Sequence, residues 1–124
     1  MKVWSFKPQV RPFSWKGHKG PVLCVDYNSK GTKIVSCSKD GTVKTWPIKV
    51  KPKFKSVKAH VAPVRCVEYS PDDKFILSVS DDKSAKVWRS SDLKFQYSLF
   101  AHKNWVNVGR FSPDMRLIVT AGED

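Results

Sequence analysis

HVAPVRCVEYSPDDKFILSVSDDKSAKVWRSSDLKFQYSLFA, residues 60–101, reads as four short strands divided by turns. Residues 64–69 alternate small or branched apolar residues with Arg65 and Glu68, the pattern of a half-buried strand. Ser70-Pro71-Asp72-Asp73 then turns the chain, since proline sets φ and aspartate bonds the local backbone. Residues 75–80, FILSVS, are nearly continuous in apolar character, as expected of a strand buried on both faces. Asp81-Asp82-Lys83 makes a tight connection into AKVW, residues 85–88. After Ser90-Ser91-Asp92, a fourth strand covers residues 94–100. No stretch carries a helical period, so the expected class is all-β, an antiparallel meander.

The same order recurs in both directions along the chain. Residues 18–59 contain VLCVDY, IVSCS, TVKTW and FKSV, and residues 102–124 contain VNVGRF and LIVTA. The N-terminal stretch supplies KVW and then residues 10–15, which match the third and fourth strands. His18, His60 and His102 stand 42 residues apart, and Trp4, Trp46 and Trp88 keep the same step. So do Asp40, Asp82 and Asp124, and Ser36, Ser78 and Thr120. A fixed period of this length marks a repeat protein whose units stack on one another. The expected division is a half unit (strands three and four) over 1–17, whole units over 18–59 and 60–101, and a half unit (strands one and two) over 102–124.

Bulk properties exclude several classes. No apolar run is long enough to form a membrane-spanning helix. MKVWSFKPQV lacks the apolar core of a secretory leader. Cys24, Cys37 and Cys66 form an odd set without CxxC spacing, which fits buried small residues in a reducing, cytosolic compartment better than a metal or redox centre. The net charge of +12 is lopsided. Residues 1–58 carry thirteen lysines and Arg11 against Asp26 and Asp40, whereas in residues 59–124 nine basic and nine acidic residues cancel. Such asymmetry speaks to partners rather than to fold.

The opening dipeptides Gly17-His18, Ala59-His60 and Ala101-His102, with Asp40-Gly41 ahead of a strand ending at Trp46, resemble WD40 repeats. The dipeptide that names the family is degenerate here: Trp4-Ser5, Trp46-Pro47 and Trp88-Arg89. The resemblance implies about three blades' worth of four-stranded antiparallel sheet from a β-propeller, seven-bladed in most members. It also implies a hydrogen-bonded network of Trp46, Ser36, His18 and Asp40 in one blade, and of Trp88, Ser78, His60 and Asp82 in the next. SVSDDKSAKVW, KFQYSL and HKNWVNVGRFSPDMRLIV further resemble the centriolar WD40 family called proteome of centriole one. That resemblance implies a non-catalytic scaffold of centrioles and basal bodies, within the cytoplasm and cytoskeleton, that binds and stabilises triplet microtubules alongside other centriolar proteins. The alternative is a general WD40 adaptor, in ubiquitin ligation or RNA processing, with a basic face.

A serine, a histidine and an aspartate recurring together invite a hydrolase reading, but an enzyme needs one such site and not one per repeat. No catalytic residue, cofactor, metal ligand set or small-molecule substrate is therefore expected. The partner-binding candidates are Lys49, Lys51, Lys53, Lys55 and Lys58. The first four alternate at period two, so an extended segment points them one way, towards an acidic tubulin surface. Nucleic acid phosphate is the rival target, and lysine also guards exposed sheet edges against aggregation. Loop-face candidates are Lys39, Asp81, Trp105 and Glu123, with Trp105 standing where the other repeats have Pro21 and Pro63. Three blades leave two apolar faces open. The chain is expected to be part of a longer propeller or, as a second reading, to pair with a copy of itself into a six-bladed ring.

Overall fold

The computed structural model describes residues 1–4, 13–49, 52–100 and 102–124, and within them twelve strands and no helix. The strands are β1 (Lys2–Val3), β2 (Phe13–Ser14), β3 (Val22–Tyr27), β4 (Lys33–Ser38), β5 (Thr42–Pro47), β6 (Lys55–Lys58), β7 (Val64–Tyr69), β8 (Phe75–Ser80), β9 (Ala85–Arg89), β10 (Phe95–Leu99), β11 (Val106–Phe111) and β12 (Ile118–Gly122). They form two four-stranded meanders, β3-β4-β5-β6 and β7-β8-β9-β10, flanked by the two-stranded sheets β1-β2 and β11-β12. All pairings are antiparallel. Residues 10–12 of the strand expected over 10–15, and Phe6, Lys51 and Ala101, lie outside the described residues, and β2 falls within the remainder of that strand.

The turns repeat as faithfully as the strands. Ser70 Oγ and Asp72 Oδ1 accept the N–H groups of Phe75 and Lys74 at 2.9 and 3.0 Å, so the S-P-D-D turn is closed by its own side chains. Ser112 and Asp114 do the same for Leu117 and Arg116 at 2.9 and 3.1 Å. Gly31, Asp73 and Met115, one period apart, share left-handed φ values of 67°, 63° and 67°. Gly41 and Lys83 share another, at 84° and 74°.

The core lies between sheets. Val35, Cys37 and Val43 of the first meander meet Val64, Val67, Tyr69, Ile76 and Trp88 of the second in one apolar cluster. Leu77, Val79 and Val87 join Val106 and the half-buried Phe111 and Ile118 in the next. Trp15 stacks on Trp46 at 5.6 Å and fixes β1-β2 against the first meander. Backbone to side-chain bonds stitch the layers: Asp26 accepts the Tyr69 N–H at 2.9 Å, and Glu68 accepts that of Phe111 at 3.2 Å. β7 departs from the half-buried expectation, for only Arg65 and Glu68 keep partial exposure while its other four residues are buried. The reason is its place: β3 and β4 pack on one side of it and β11 on the other.

Candidate functional site

The polar residues of each repeat are largely consumed inside the sheet. His60 Nδ1–H donates to Asp82 Oδ2 at 2.6 Å, and His60 Nε2 accepts from the Ser78 hydroxyl at 2.8 Å. Ser78 Oγ in turn accepts the Trp88 indole N–H at 2.9 Å. This tautomer gives every member a partner. In the first meander the chain gains a link: Trp46 donates to Ser36 at 2.9 Å, Ser36 Oγ lies 2.6 Å from His18 Nε2, and His18 Nδ1 reaches Thr42 Oγ1 at 2.9 Å. Thr42 then donates to Asp40 at 2.5 Å. His102 spans Thr120 at 2.6 Å and Asp124 at 2.8 Å.

Burial sets the protonation of these groups. Desolvation pushes the His60 imidazole below its ordinary range, and the Asp82 carboxylate pulls the other way without prevailing. Desolvation lowers His18 likewise, against the pull of Asp40. Burial alone would raise Asp40, but bonds from the Thr42 hydroxyl, Thr42 N–H and Lys19 N–H outweigh it and hold the carboxyl well below the usual range. Asp82 is held low in the same sense, burial being outweighed by Ser84 and His60. The resemblance to a catalytic triad ends at access: Ser78 is buried, with its oxygen shared between Trp88 and His60, so no substrate carbonyl reaches it.

The network's consequence is a rigid loop face. Asp40 Oδ2 accepts the Lys19 N–H at 2.8 Å and Asp124 Oδ2 that of Lys103 at 2.9 Å, pinning the loop that enters the first meander, and the loop that enters β11-β12, to the segment that follows its second strand. Backbone bonds complete the rim: Lys39 N–H to Pro21 O at 2.9 Å, Asp81 N–H to Pro63 O at 3.1 Å, and Glu123 N–H to Trp105 O at 2.9 Å. The four loop-face candidates thus share one rim.

Arg65 draws two of them together. Its guanidinium makes paired bonds of 2.7 and 2.8 Å to Asp81 and lies 5.4 Å from the centre of the Trp105 ring, which is half-exposed. Asn107 Nδ2 donates to Glu123 at 2.6 Å beside it. Arg65 stands at a break in the β7–β8 register between Val64 and Cys66, and Leu23 and Asn107 occupy the same breaks in β3 and β11. Such bulges re-aim a side chain, which is why a residue read as one step of an alternating strand reaches the rim.

Sequence reading also missed Thr42 and Ser84, whose hydroxyls bond Asp40 at 2.5 Å and Asp82 at 2.6 Å. They stand one period apart, so the step that found the histidines was enough to find them.

The basic candidates sit at the outer edge of the first meander. Lys49, Lys53, Lys55 and Lys58 are all exposed. A single extended row is not what the described residues form: the chain bends at Ile48 and Lys49, and β6 begins only at Lys55. Pro52 has no N–H to give a ladder, and within β6 Lys55 and Lys58 are three steps apart and fall on opposite faces. Lys55 Nζ donates to Ser91 O and Lys58 Nζ to Asp40 O, both at 2.5 Å, contacts that leave the charge uncancelled. Among the described residues no lysine forms an ion pair with a carboxylate.

The cysteines are free thiols, Cys24 Sγ lying 3.8 Å from Cys66 Sγ. Contact with each other and burial raise the Cys66 thiol, and Cys24 is raised beside Cys37, so neither is a ready nucleophile. Among the described residues no three His, Cys, Asp or Glu side chains gather as a metal site.

The family model for the WD domain, G-beta repeat, matches residues 9–47, 51–89 and 93–124. Each matched repeat starts on the outermost strand of one sheet and continues through the first strands of the next; residues 51–89 take in β6 with β7, β8 and β9. Repeats defined this way straddle neighbouring sheets. No curated protein matches the chain. The matched repeats, the four-stranded meanders and the recurring Trp–Ser–His–Asp bonds agree, and the chain belongs to the WD40 family.

Proposed function

We propose that this chain is a non-catalytic structural adaptor of centrioles and basal bodies, holding a basic edge against the acidic surface of microtubules. WD40 repeats carry protein–protein interaction, which sets the general role. The observation that supports the finer reading is electrostatic: Lys49, Lys53, Lys55 and Lys58 are exposed along one sheet edge, and none is neutralised by a carboxylate among the described residues. Unneutralised ammonium groups gathered at one edge, on either face of it, suit a glutamate-rich polymer. The likeness of residues 60–124 to the centriolar family supports the location, in the cytoplasm and cytoskeleton.

Cosedimentation with microtubules at low salt tests the basic edge. Lys49→Glu, Lys53→Glu and Lys55→Glu together are expected to weaken binding at least tenfold, and removing the acidic tubulin tails is expected to do the same. Binding unchanged by either treatment refutes the reading. A second reading, a general adaptor for another protein complex, is supported by Trp105 lying over Arg65 on the loop rim. Under it, Trp105→Ala abolishes partner capture and leaves microtubule binding untouched.

A further inference from the structure

The two meanders differ at one place in a way that packing does not require. Between the entering loop and the outer strand, the second meander has Val61, Lys86, Ser98 and Phe100. The first has Lys19, Lys44, Ser56 and Lys58 at the same four positions. Val61 and Phe100 are 91% and 76% exposed, although the first meander already packs on that face through Val43 and Trp88. The place is therefore open to solvent even where the neighbouring meander is complete, and what changes in the first meander is its chemistry.

A cavity of about 330 Å³ lies there, lined by Lys19, Lys44 and Lys58 with Asp40, Thr42 and Ser56. Its volume is that of a small ligand site. Lys44 anchors it: the residue is 7% exposed, its ammonium lies 4.3 Å from the centre of the Phe54 ring, and it donates to Ser56 Oγ at 2.8 Å. Its counterpart Lys86 donates instead to the Ala59 carbonyl at 3.0 Å. Lys58 Nζ donates to the Asp40 carbonyl at 2.5 Å. Each of these two ammonium groups thus gives one of its three N–H bonds to a neutral oxygen, and Ser56, accepting from Lys44, keeps its own proton to donate. Asp40 is the acid of the lining, but its carboxylate is turned to its own loop. Thr42 O–H and N–H bond Oδ1 at 2.5 and 2.9 Å, and Lys19 N–H bonds Oδ2 at 2.8 Å. Three lysines against one aspartate leave a positive excess. Burial lowers the Lys44 ammonium below its ordinary range; Asp40 pulls the other way, and Lys19 adds to the lowering. A further negative charge in the cleft stabilises that ammonium.

We propose that this cleft is a binding site for a phosphate monoester, held by Lys19, Lys44 and Lys58 with the Ser56 hydroxyl. A phosphate monoester carries a charge of about −1.5 to −2 at neutral pH and three acceptor oxygens, which match the excess charge and the donors at hand. A single carboxylate brings about half that charge, and its best partner is the planar fork of arginine, which the lining lacks. Lysine is kept at positions 44 and 86, so the fold accommodates it there, while Lys19 and Lys58 make the site particular to the first meander. The shared chemistry is the phosphate group, whether on a phosphorylated side chain of a partner or on a small molecule.

Titration of the 124-residue chain at constant ionic strength, followed by amide NMR shifts, tests the site. The probes are inorganic phosphate, a phosphoserine peptide with neutral flanks, and the same peptide carrying glutamate. The first two are expected to move the amides of Lys19, Thr42 and Lys58 saturably, with half-saturation at about 1 mM. Lys19→Gln with Lys58→Gln, both on exposed residues, is expected to weaken binding about tenfold or more, the worth of a charge-assisted bond. Lys53→Gln with Lys55→Gln removes the same charge from the adjoining edge, outside the cavity, and is expected to leave binding within about twofold at physiological salt. A phosphopeptide that binds about tenfold tighter than inorganic phosphate upholds the site and assigns the ester to a partner protein. Equal affinities uphold it with the phosphate group alone as ligand. No saturable shift, or an equal loss in both double variants, overturns the proposal. So does a glutamate peptide that binds as tightly as the phosphopeptide. The triple lysine variant that tests microtubule binding leaves this lining intact, so the two readings fail separately.

Discussion

Replacing His60 with alanine isolates the worth of the buried network. The imidazole is buried and makes bonds of 2.6 Å to Asp82 and 2.8 Å to Ser78. Asp82 keeps the Ser84 hydroxyl and N–H at 2.6 and 2.9 Å, so it is not stranded. Ser78 keeps Trp88 as donor, but its own proton is left with the Lys86 carbonyl at a poor 3.5 Å. Two lost bonds at about 1 kcal/mol each, with one poorly satisfied buried hydroxyl, give about 3 kcal/mol before any cavity term. His102 makes bonds of similar length, 2.6 and 2.8 Å, at the edge of a half-sheet where water replaces them. His102→Ala is therefore expected to cost about 1 kcal/mol or less. With a urea dependence of about 2 kcal/mol per molar, the midpoints fall by about 1.5 M for His60→Ala and by less than about 0.5 M for His102→Ala. Tryptophan fluorescence and far-ultraviolet circular dichroism, at one fixed chain concentration, read both. Equal shifts refute the reasoning, for then burial does not set the value of the bonds.

Two further outcomes follow from the same geometry. Gly109 stands where the other repeats have Val25 and Val67, yet a Cβ there meets Val79 Cγ1 at 2.8 Å and Leu77 Cδ2 at 3.0 Å. Gly109→Val, which restores the repeat pattern, is expected to destabilise by about 1–3 kcal/mol through overpacking; a gain in melting temperature contradicts this. In acid, stability is expected to fall in two steps. His18 and His60 have folded pKa values below the unfolded one, so the unfolded chain takes up protons first and stability declines as pH drops below about 6.5. Asp40 and Asp82 are also depressed, and their contribution, full above about 3.9, is lost as pH falls further. A melting temperature that is flat from pH 7 to 5 in the wild type removes the histidine step.

How much was legible depended on whether a feature is set by the chain or by its neighbours. The step of 42 residues located all twelve strands because turn chemistry is local: Ser70 and Asp72 close their own turn without outside help. β3 and β7 carry nearly the same string, VLCVDY and VRCVEY, yet β3 alternates between half-buried and exposed while four of six residues in β7 are buried. Periodicity reports the faces a strand has, not how many of them are covered. The lysine row misled for a related reason, since a period of two orients side chains only where the backbone is extended, and the chain bends before Pro52. Arg65 was hidden because a bulge, not its place in the alternation, decides its direction.

The repeat separates structural from functional residues by what it keeps and what it varies. The kept positions, Trp46 and Trp88, Ser36 and Ser78, His18 and His60, hold the sheets from within and leave little free for a partner. The varied positions are on the rim: Leu23, Arg65 and Asn107 at the bulges, Lys39, Asp81 and Glu123 at the turns, Pro21, Pro63 and Trp105 at the entries. The outer strands vary too, lysine-rich in β6 and carrying Gln96 and Tyr97 in β10. Any selectivity between partners must come from these departures, because identical blades present identical surfaces. It follows that substitutions at kept positions should change how much folded protein there is, and substitutions at Arg65, Trp105 or the β6 lysines should change what that folded protein holds.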